Sequence, residues 1–238
     1  MSMSGHSHWA TTKHQKALTD NKRGQIFTKL VRVITVAARD GGDLTSNFKL
    51  RLAVEKARAV NMPKANIDRA IERGSGAGEG GSGLMEGIYE GFGPGNMAVM
   101  VSVLTDNKNR TASEIKKIFE RSGGTLGQPG SVAFLFDKKG RLMVEKKPDT
   151  QNEILQLIDL GADEVEELTE GIEVFTPANK LAETKSKIEQ AGLAVKEAEL
   201  VFVPKSYLGL GEDLKEKAIE FLETLDNHDD VQEVYTNL

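Results

Sequence analysis

From Asp20 to Arg39 the apolar residues Ile26, Phe27, Leu30, Val33, Ile34 and Ala37 recur at helical spacing, and Gly41-Gly42 ends the run. The spacing predicts a helix of about five turns. A second amphipathic stretch, Ser46 to Asn61, turns Leu50, Ala53, Ala57 and Val60 to one side. A third opens with Pro63, suited to a first helical turn, and runs to Arg73 before Gly74. Three short-linked helices make a small bundle. Residues 74–83, GSGAGEGGSG, are too rich in glycine to hold a regular element and read as a hinge.

Strand patterning then replaces helical patterning. Gly87 to Phe92, a Gly93-Pro94-Gly95 turn and Met97 to Thr105 predict a hairpin. Thr111-x-x-Glu114 has the form of a capping box before a helix ending at Gly123-Gly124, and Ser131 to Phe136 reads as the returning strand of a βαβ unit. Next come Arg141 to Lys146 (strand), Thr150 to Leu160 (helix, with Thr150-x-x-Glu153 as its box), and a hairpin of Glu164 to Leu168 with Ile172 to Thr176. Pro177 to Ala191 (helix) and Ala194 to Val203 (strand) complete a β-α-β-β-α-β order, which is ferredoxin-like. After Pro204, a helix near Glu212 to Leu225 and a strand near Val231 to Thr236 are the parts that the earlier unit lacks. A free-standing hairpin of these two would leave an apolar face of each uncovered. The expected fold is therefore α+β: a three-helix N-terminal domain (1–75), a discontinuous α/β middle domain (84–136 plus 205–238), and a ferredoxin-like domain (138–203) inserted in it.

The 238 residues are 39% hydrophobic and 28% charged, enough apolar material for real cores. No run approaches the roughly 18 apolar residues of a membrane span, and the start MSMSGHSHW lacks the apolar stretch of a signal peptide, so a soluble, cytoplasmic protein is expected. With no cysteine, disulfides, thiolate zinc sites and cysteine nucleophiles are excluded. The net charge of −5 hides a division: residues 1–75 hold 14 Lys+Arg against 6 Asp+Glu and three of the four histidines, and the remainder is correspondingly acidic. A polyanion-binding head on an acidic body accounts for this, and so does an electrostatic contact between the two parts.

Other motifs carry less. Gly76-x-Gly78-x-x-Gly81 and Gly78-x-Gly80-x-x-Gly83 match the dinucleotide fingerprint, but neither follows a strand or opens a helix. His6, His8 and His14 lack the rigid frame of a metal site. His228 beside Asp229 and Asp230 reads as a solvated turn, and alternation puts Glu164 and Glu166 on a solvated face of their hairpin. Nothing pairs a nucleophile with a base, so no enzymatic activity, cofactor or metal is expected.

The basic head is the strongest signal. At 100° per residue, Lys22, Lys29, Arg32 and Arg39 line one ridge of the first helix, upstream lie Lys13, His14 and Lys16, and Lys49, Arg51, Lys56 and Arg58 add charge on the second helix. Such a ridge neutralises phosphates, giving salt-dependent affinity with little sequence information. Trp9 and Phe27 are too few for a base-stacking platform. No stretch reads as a short turn before an Arg/Asn/Gln-rich helix aimed at base edges.

Several segments, taken together, carry a resemblance: Gly5-His6-Ser7-His8-Trp9-Ala10, Lys13-His14, Asn21-Lys22-Arg23-Gly24, Asn61-Met62-Pro63, Asn66-Ile67-Asp68-Arg69-Ala70-Ile71, Tyr89-Glu90-Gly91-Phe92-Gly93-Pro94-Gly95, Thr105-Asp106-Asn107-Lys108-Asn109-Arg110-Thr111 and Gly130-Ser131-Val132-Ala133-Phe134. Over essentially its whole length the chain resembles the YebC family of bacterial proteins, with mitochondrial relatives known as translational activators. His8 stands where the family usually has lysine, and Gly41-Gly42-Asp43-Leu44 is a shortened form of its glycine-rich loop. The resemblance implies a helical N-terminal domain and two α/β domains. It also implies either a cytoplasmic DNA-binding transcriptional regulator or a factor on ribosomal RNA that assists translation of difficult stretches such as consecutive prolines. The expected nucleic-acid-binding set is Lys13, His14, Lys16, Lys22, Arg23, Lys29, Arg32, Arg39, Lys49 and Arg51, in a monomer whose acidic α/β domains meet a protein partner.

Overall fold

The computed structural model describes residues 20–76, 83–147 and 149–238, with side chains in the first helix from Arg23 onward. Among the described residues there are seven α-helices and two four-stranded antiparallel sheets, an α+β fold with its helical part first. None of these helices is long and apolar enough to cross a membrane. The chain divides into two compact units, Met1–Asp137 with Pro204–Leu238, and Lys138–Val203.

The first unit opens with α1 (Asp20–Ala37), α2 (Phe48–Ala59) and α3 (Lys64–Gly74). Their apolar stripes meet in a core of Leu30, Ile34, Leu50, Val54, Ala57 and Ile67. Asn47 caps α2 by accepting from the Leu50 amide at 3.0 Å, and its amide group donates to the Ala37 and Gly41 carbonyls, both at 2.7 Å. One side chain thus closes the loop and starts the helix, one residue later than Ser46. Gly74 ends α3 where a Cβ would lie 2.1 Å from the Thr35 carbonyl oxygen, so only glycine lets α3 and α1 approach this closely.

The sheet of this unit has the order β3-β1-β2-β8, from β1 (Met85–Phe92), β2 (Ala98–Thr105), β3 (Thr125–Leu126) and β8 (Val231–Thr236). On it pack α4 (Lys108–Arg121) and α7 (Glu212–Asp226), with Phe119 and Phe221 edge to face at 4.9 Å in a core with Val99, Val101, Ile115 and Leu222. The second unit builds the sheet β5-β6-β4-β7 from β4 (Phe136–Val144), β5 (Glu164–Glu167), β6 (Ile172–Pro177) and β7 (Val195–Pro204), with α5 (Thr150–Asp159) and α6 (Leu181–Gln190). This is the ferredoxin-like order. The first unit has the same spatial order with its connections permuted, because the strand in the third role, β1, comes first and is joined to β2 by the tight turn at Pro94–Asn96. In the second unit Arg141, 12% exposed, is held among Glu173, Glu197 and Glu199. Burial favours its neutral form, but the charges of Glu173 and Glu199 outweigh this and raise its pKa.

Local expectations are corrected at three places. Ser131 to Phe136 is not the returning strand: that strand is the two-residue β3, and residues 133–135 form a 3₁₀ turn. The reason is Glu90, whose buried carboxylate accepts from the amides of Gly130 (2.8 Å), Val132 (2.9 Å) and Ala133 (2.8 Å), so these donors are withdrawn from any ladder. Thr111 does not cap its helix. Asn107 does, accepting from the Arg110 amide at 3.1 Å, which leaves the Thr111 hydroxyl inside the first turn and available for tertiary use. At α5 Asp149 holds the capping position, and Glu153 reaches back to the Lys147 amide at 3.0 Å.

Candidate nucleic-acid interface

Lys13, His14 and Lys16 lie outside the described residues, as do His6, His8 and residues 77–82 of the glycine-rich segment. Lys22 belongs to α1 by its backbone. Arg23 and Arg39 are exposed, and Lys49 is 72% exposed with a loose 3.8 Å approach to Asp40. Arg51 is engaged locally, donating to the Leu44 (2.8 Å) and Thr45 (3.2 Å) carbonyls while its guanidinium sits over the Phe48 ring. With Arg58, Glu55, Val54, Leu44 and Thr45 it lines an open cavity of about 290 Å³.

Lys29 and Arg32 face a different way. The Lys29 ammonium donates to the Asp226 carbonyl at 2.5 Å and lies 3.4 Å from its carboxylate. Arg32 donates from Nη1 to the Asp229 carbonyl (2.6 Å), the Asp230 carboxylate (2.8 Å) and the Leu104 carbonyl (3.4 Å). On α2, Lys56 meets the Glu233 carboxylate at 3.2 Å. The ridge read from helical angle is therefore split: its middle is turned onto the acidic end of α7 and the start of β8, where burial of carbonyls and carboxylates calls for cations.

The turn read as solvated is exposed at Asp229 but buries its last residue. Asp230 is 2% exposed. A register shift between Ser102 and Val103 sets it at the end of β2, where its carbonyl accepts from the Leu104 amide at 2.8 Å. Its carboxylate accepts from Arg32 (2.8 Å), Arg110 (2.8 Å) and the Thr111 hydroxyl (2.7 Å). Burial would raise this carboxyl, but the hydrogen bonds from Thr111, Arg110 and Thr105 and the charge of Arg32 overcome it and hold the pKa down at about 2. The segment Thr105 to Thr111, of which spacing marked only Thr111 and that as a cap, builds this site: Asn107 starts the helix, and Arg110 and Thr111 grasp Asp230. Only an isolated hydroxyl and arginine at one helix start could have signalled it, and both have many other uses.

His228 accepts from the Asp230 amide through Nδ1 (3.2 Å), which leaves Nε2 to donate to Glu114 (2.9 Å). The Glu114, His228 and Asp230 ligand atoms lie within 4.8 Å of one another, but two guanidiniums already occupy the Asp230 carboxylate, an unfavourable setting for a metal cation.

The connection between α2 and α3 is short, as the spacing predicts. It spans only residues 60–63, with Asn61 in the left-handed region (φ 59°), and leads into a helix that carries Lys64, Asn66, Arg69 and Arg73. Arg69 is pre-oriented, donating to the Ala65 carbonyl (3.0 Å) and the Asn66 side chain (2.8 Å). Asp68 and Glu72 are exposed on the same helix and temper its charge.

Comparison with known proteins gives a consistent result over the whole chain. The family description "TACO1/YebC protein N-terminal domain" matches residues 7–77, and "TACO1/YebC second and third domain" matches residues 84–238. A protein of Thermotoga petrophila is 48% identical over 238 residues, covering 99% of this chain and 93% of its own length, and one of Pelotomaculum thermopropionicum is 44% identical, covering 99% and 98%. Both are named "Probable transcriptional regulatory protein". The crystal structure of a conserved hypothetical protein from Aquifex aeolicus superimposes with a TM-score of 0.87 at 41% identity, covering 97% of this chain and 96% of the other.

Proposed function

This chain belongs to the TACO1/YebC family, and from that premise we propose that it is a nucleic-acid-binding regulator whose helical N-terminal part docks on phosphate backbone. The names of its relatives support a regulator's role. One observation carries the binding mode: in a strongly basic segment, Arg39, Lys49, Arg58, Lys64, Arg69 and Arg73 remain exposed after Lys29, Arg32 and Lys56 have been drawn to acidic partners. A surface of this kind gains affinity by releasing counterions and gives little base discrimination. The role is binding rather than turnover, performed by a monomer in the cytoplasm, with the acidic α/β part available to a protein partner.

The relatives' names, which speak of transcription, favour DNA as the polyanion. A basic surface with little base discrimination also suits a second reading, in which the segment follows the backbone and shape of ribosomal RNA on a translating ribosome. Sedimentation of the native protein from gently lysed cells through a sucrose gradient, at low and moderate salt with nuclease controls, separates them. Retention on bulk DNA, lost on DNase treatment, is the expected result. Migration with ribosomes that survives DNase and weakens with salt replaces it with the translation factor, and migration free of both in low salt overturns nucleic-acid binding.

A further inference from the structure

The contacts of Lys29, Arg32 and Lys56 differ in kind. Arg32 meets a carboxylate that is almost fully buried, shared with Arg110 and Thr111, and two carbonyls besides. That contact is structural. The other two meet carboxylates that still reach solvent. Lys29 and Asp226 have side chains 17% and 23% exposed with carboxylate and ammonium 3.4 Å apart, and Lys56 and Glu233 are 48% and 36% exposed at 3.2 Å. The Lys56–Glu233 pair, at such exposure, contributes little to stability and is screened by salt, whereas the Lys29 contact is partly buried and its ion pair is loose. Their acidic members sit at the carbonyl end of α7 and on β8, so Lys29 meets a carboxylate, the Asp226 carbonyl and the negative end of the helix dipole together. Chemically this resembles a row of phosphate oxygens.

We propose that Asp226 and Glu233 are a built-in competitor for phosphate at Lys29 and Lys56, so that a polyanion engages these two lysines only by displacing the acidic pair, while Arg32 and Asp230 stay joined as the pivot. The proposal rests on the reading of the helical part as a polyanion binder and adds its regulation. It makes engagement a threshold event: scattered phosphates meet only the outer cations, and a dense, well-placed array recruits two more. The exchange is a swap of ionic partners without covalent change, and the displaced carboxylates go to solvent counterions.

The test is binding of long-chain inorganic polyphosphate, which has neither base nor sugar, across a salt series. It compares the wild-type protein, the Asp226→Asn/Glu233→Gln variant, and a Glu216→Gln/Glu220→Gln variant that removes the same charge from exposed positions earlier on α7. The first variant is expected to bind about tenfold tighter at low salt with a slope steeper by roughly one to two units, and the control to change less than about twofold. Adding Lys29→Gln and Lys56→Gln to the first variant should abolish the gain. If it binds no tighter than the control while the wild type binds, the competitor is overturned and the binding reading stands. If neither wild type nor variant binds polyphosphate, the reading of the helical part fails and takes the competitor with it. Thermal unfolding is recorded for each variant, and a midpoint near that of the wild type is the condition for the comparison.

Discussion

Asp230 is a carboxylate removed from water and compensated by two guanidiniums and a hydroxyl, which is the arrangement in which removing one partner costs most. Asp230→Asn keeps the shape but removes the counter-charge of Arg32 and leaves Arg110 only Asp106 and Glu114, and urea unfolding should show a loss of about 3 kcal/mol. Its acid behaviour has a definite sign. With a folded pKa of about 2 against an ordinary 3.8, the native state binds this proton later than the unfolded chain does. The stabilisation, about 2 kcal/mol from a shift of that size, is complete above the ordinary value and disappears as pH falls from about 4 to about 2. Unfolding free energies measured through that window should fall for the wild type and fall less for Asp230→Asn. At this scale the residue types were plain in the sequence, but not the partners: His228-Asp229-Asp230 has the composition of a solvated turn, and only the shifted register of β2 and β8 carries Asp230 inside.

Among elements, the loop after β3 shows how one side chain decides a conformation. Ser131 to Phe136 has the alternation of a strand, and it would pair as one if its amides were free. Glu90 takes three of the amides of residues 130–133 instead, and although burial raises its carboxyl, those backbone donors lower it overall. Glu90→Gln would set an amide nitrogen against at least one N–H donor and remove the negative charge that all three amides share. The expected outcome is a loss of about 2 kcal/mol with faster hydrogen exchange at Val132 and Ala133, and little change in the helical part. Exchange rates at these two amides equal to wild type would show that the loop is held by packing of Val132 alone. The helices, in contrast, were legible nearly to their ends, because a stripe of period 3.6 specifies both the element and its buried face. Their starts were less so: Asn107 and Asn47 outcompete the Thr and Ser signals beside them, since capping depends on which side chain reaches the free amides.

Across the whole molecule, the basic charge of the first 75 residues serves two purposes. Arg39→Gln, Lys49→Gln and Arg58→Gln together should leave the unfolding midpoint within about 0.5 kcal/mol per site and flatten the salt dependence of nucleic-acid binding by about one unit per lost phosphate contact. Arg32→Gln should do the reverse first, lowering stability by uncovering Asp230, as read by the same unfolding and binding titrations. A stability loss in the triple variant and none in Arg32→Gln would invert this division. The α+β class, the helical start, the ferredoxin-like order after residue 138 and the split of charge were determined by the sequence itself, because periodicity, turn residues and charge are local quantities that the chain carries unfolded or folded. Which cations face water and which face Asp226, Asp230 and Glu233 was decided by tertiary structure alone. Partners nearly 200 residues apart meet only when β8 closes the first sheet, and no local pattern encodes that distance.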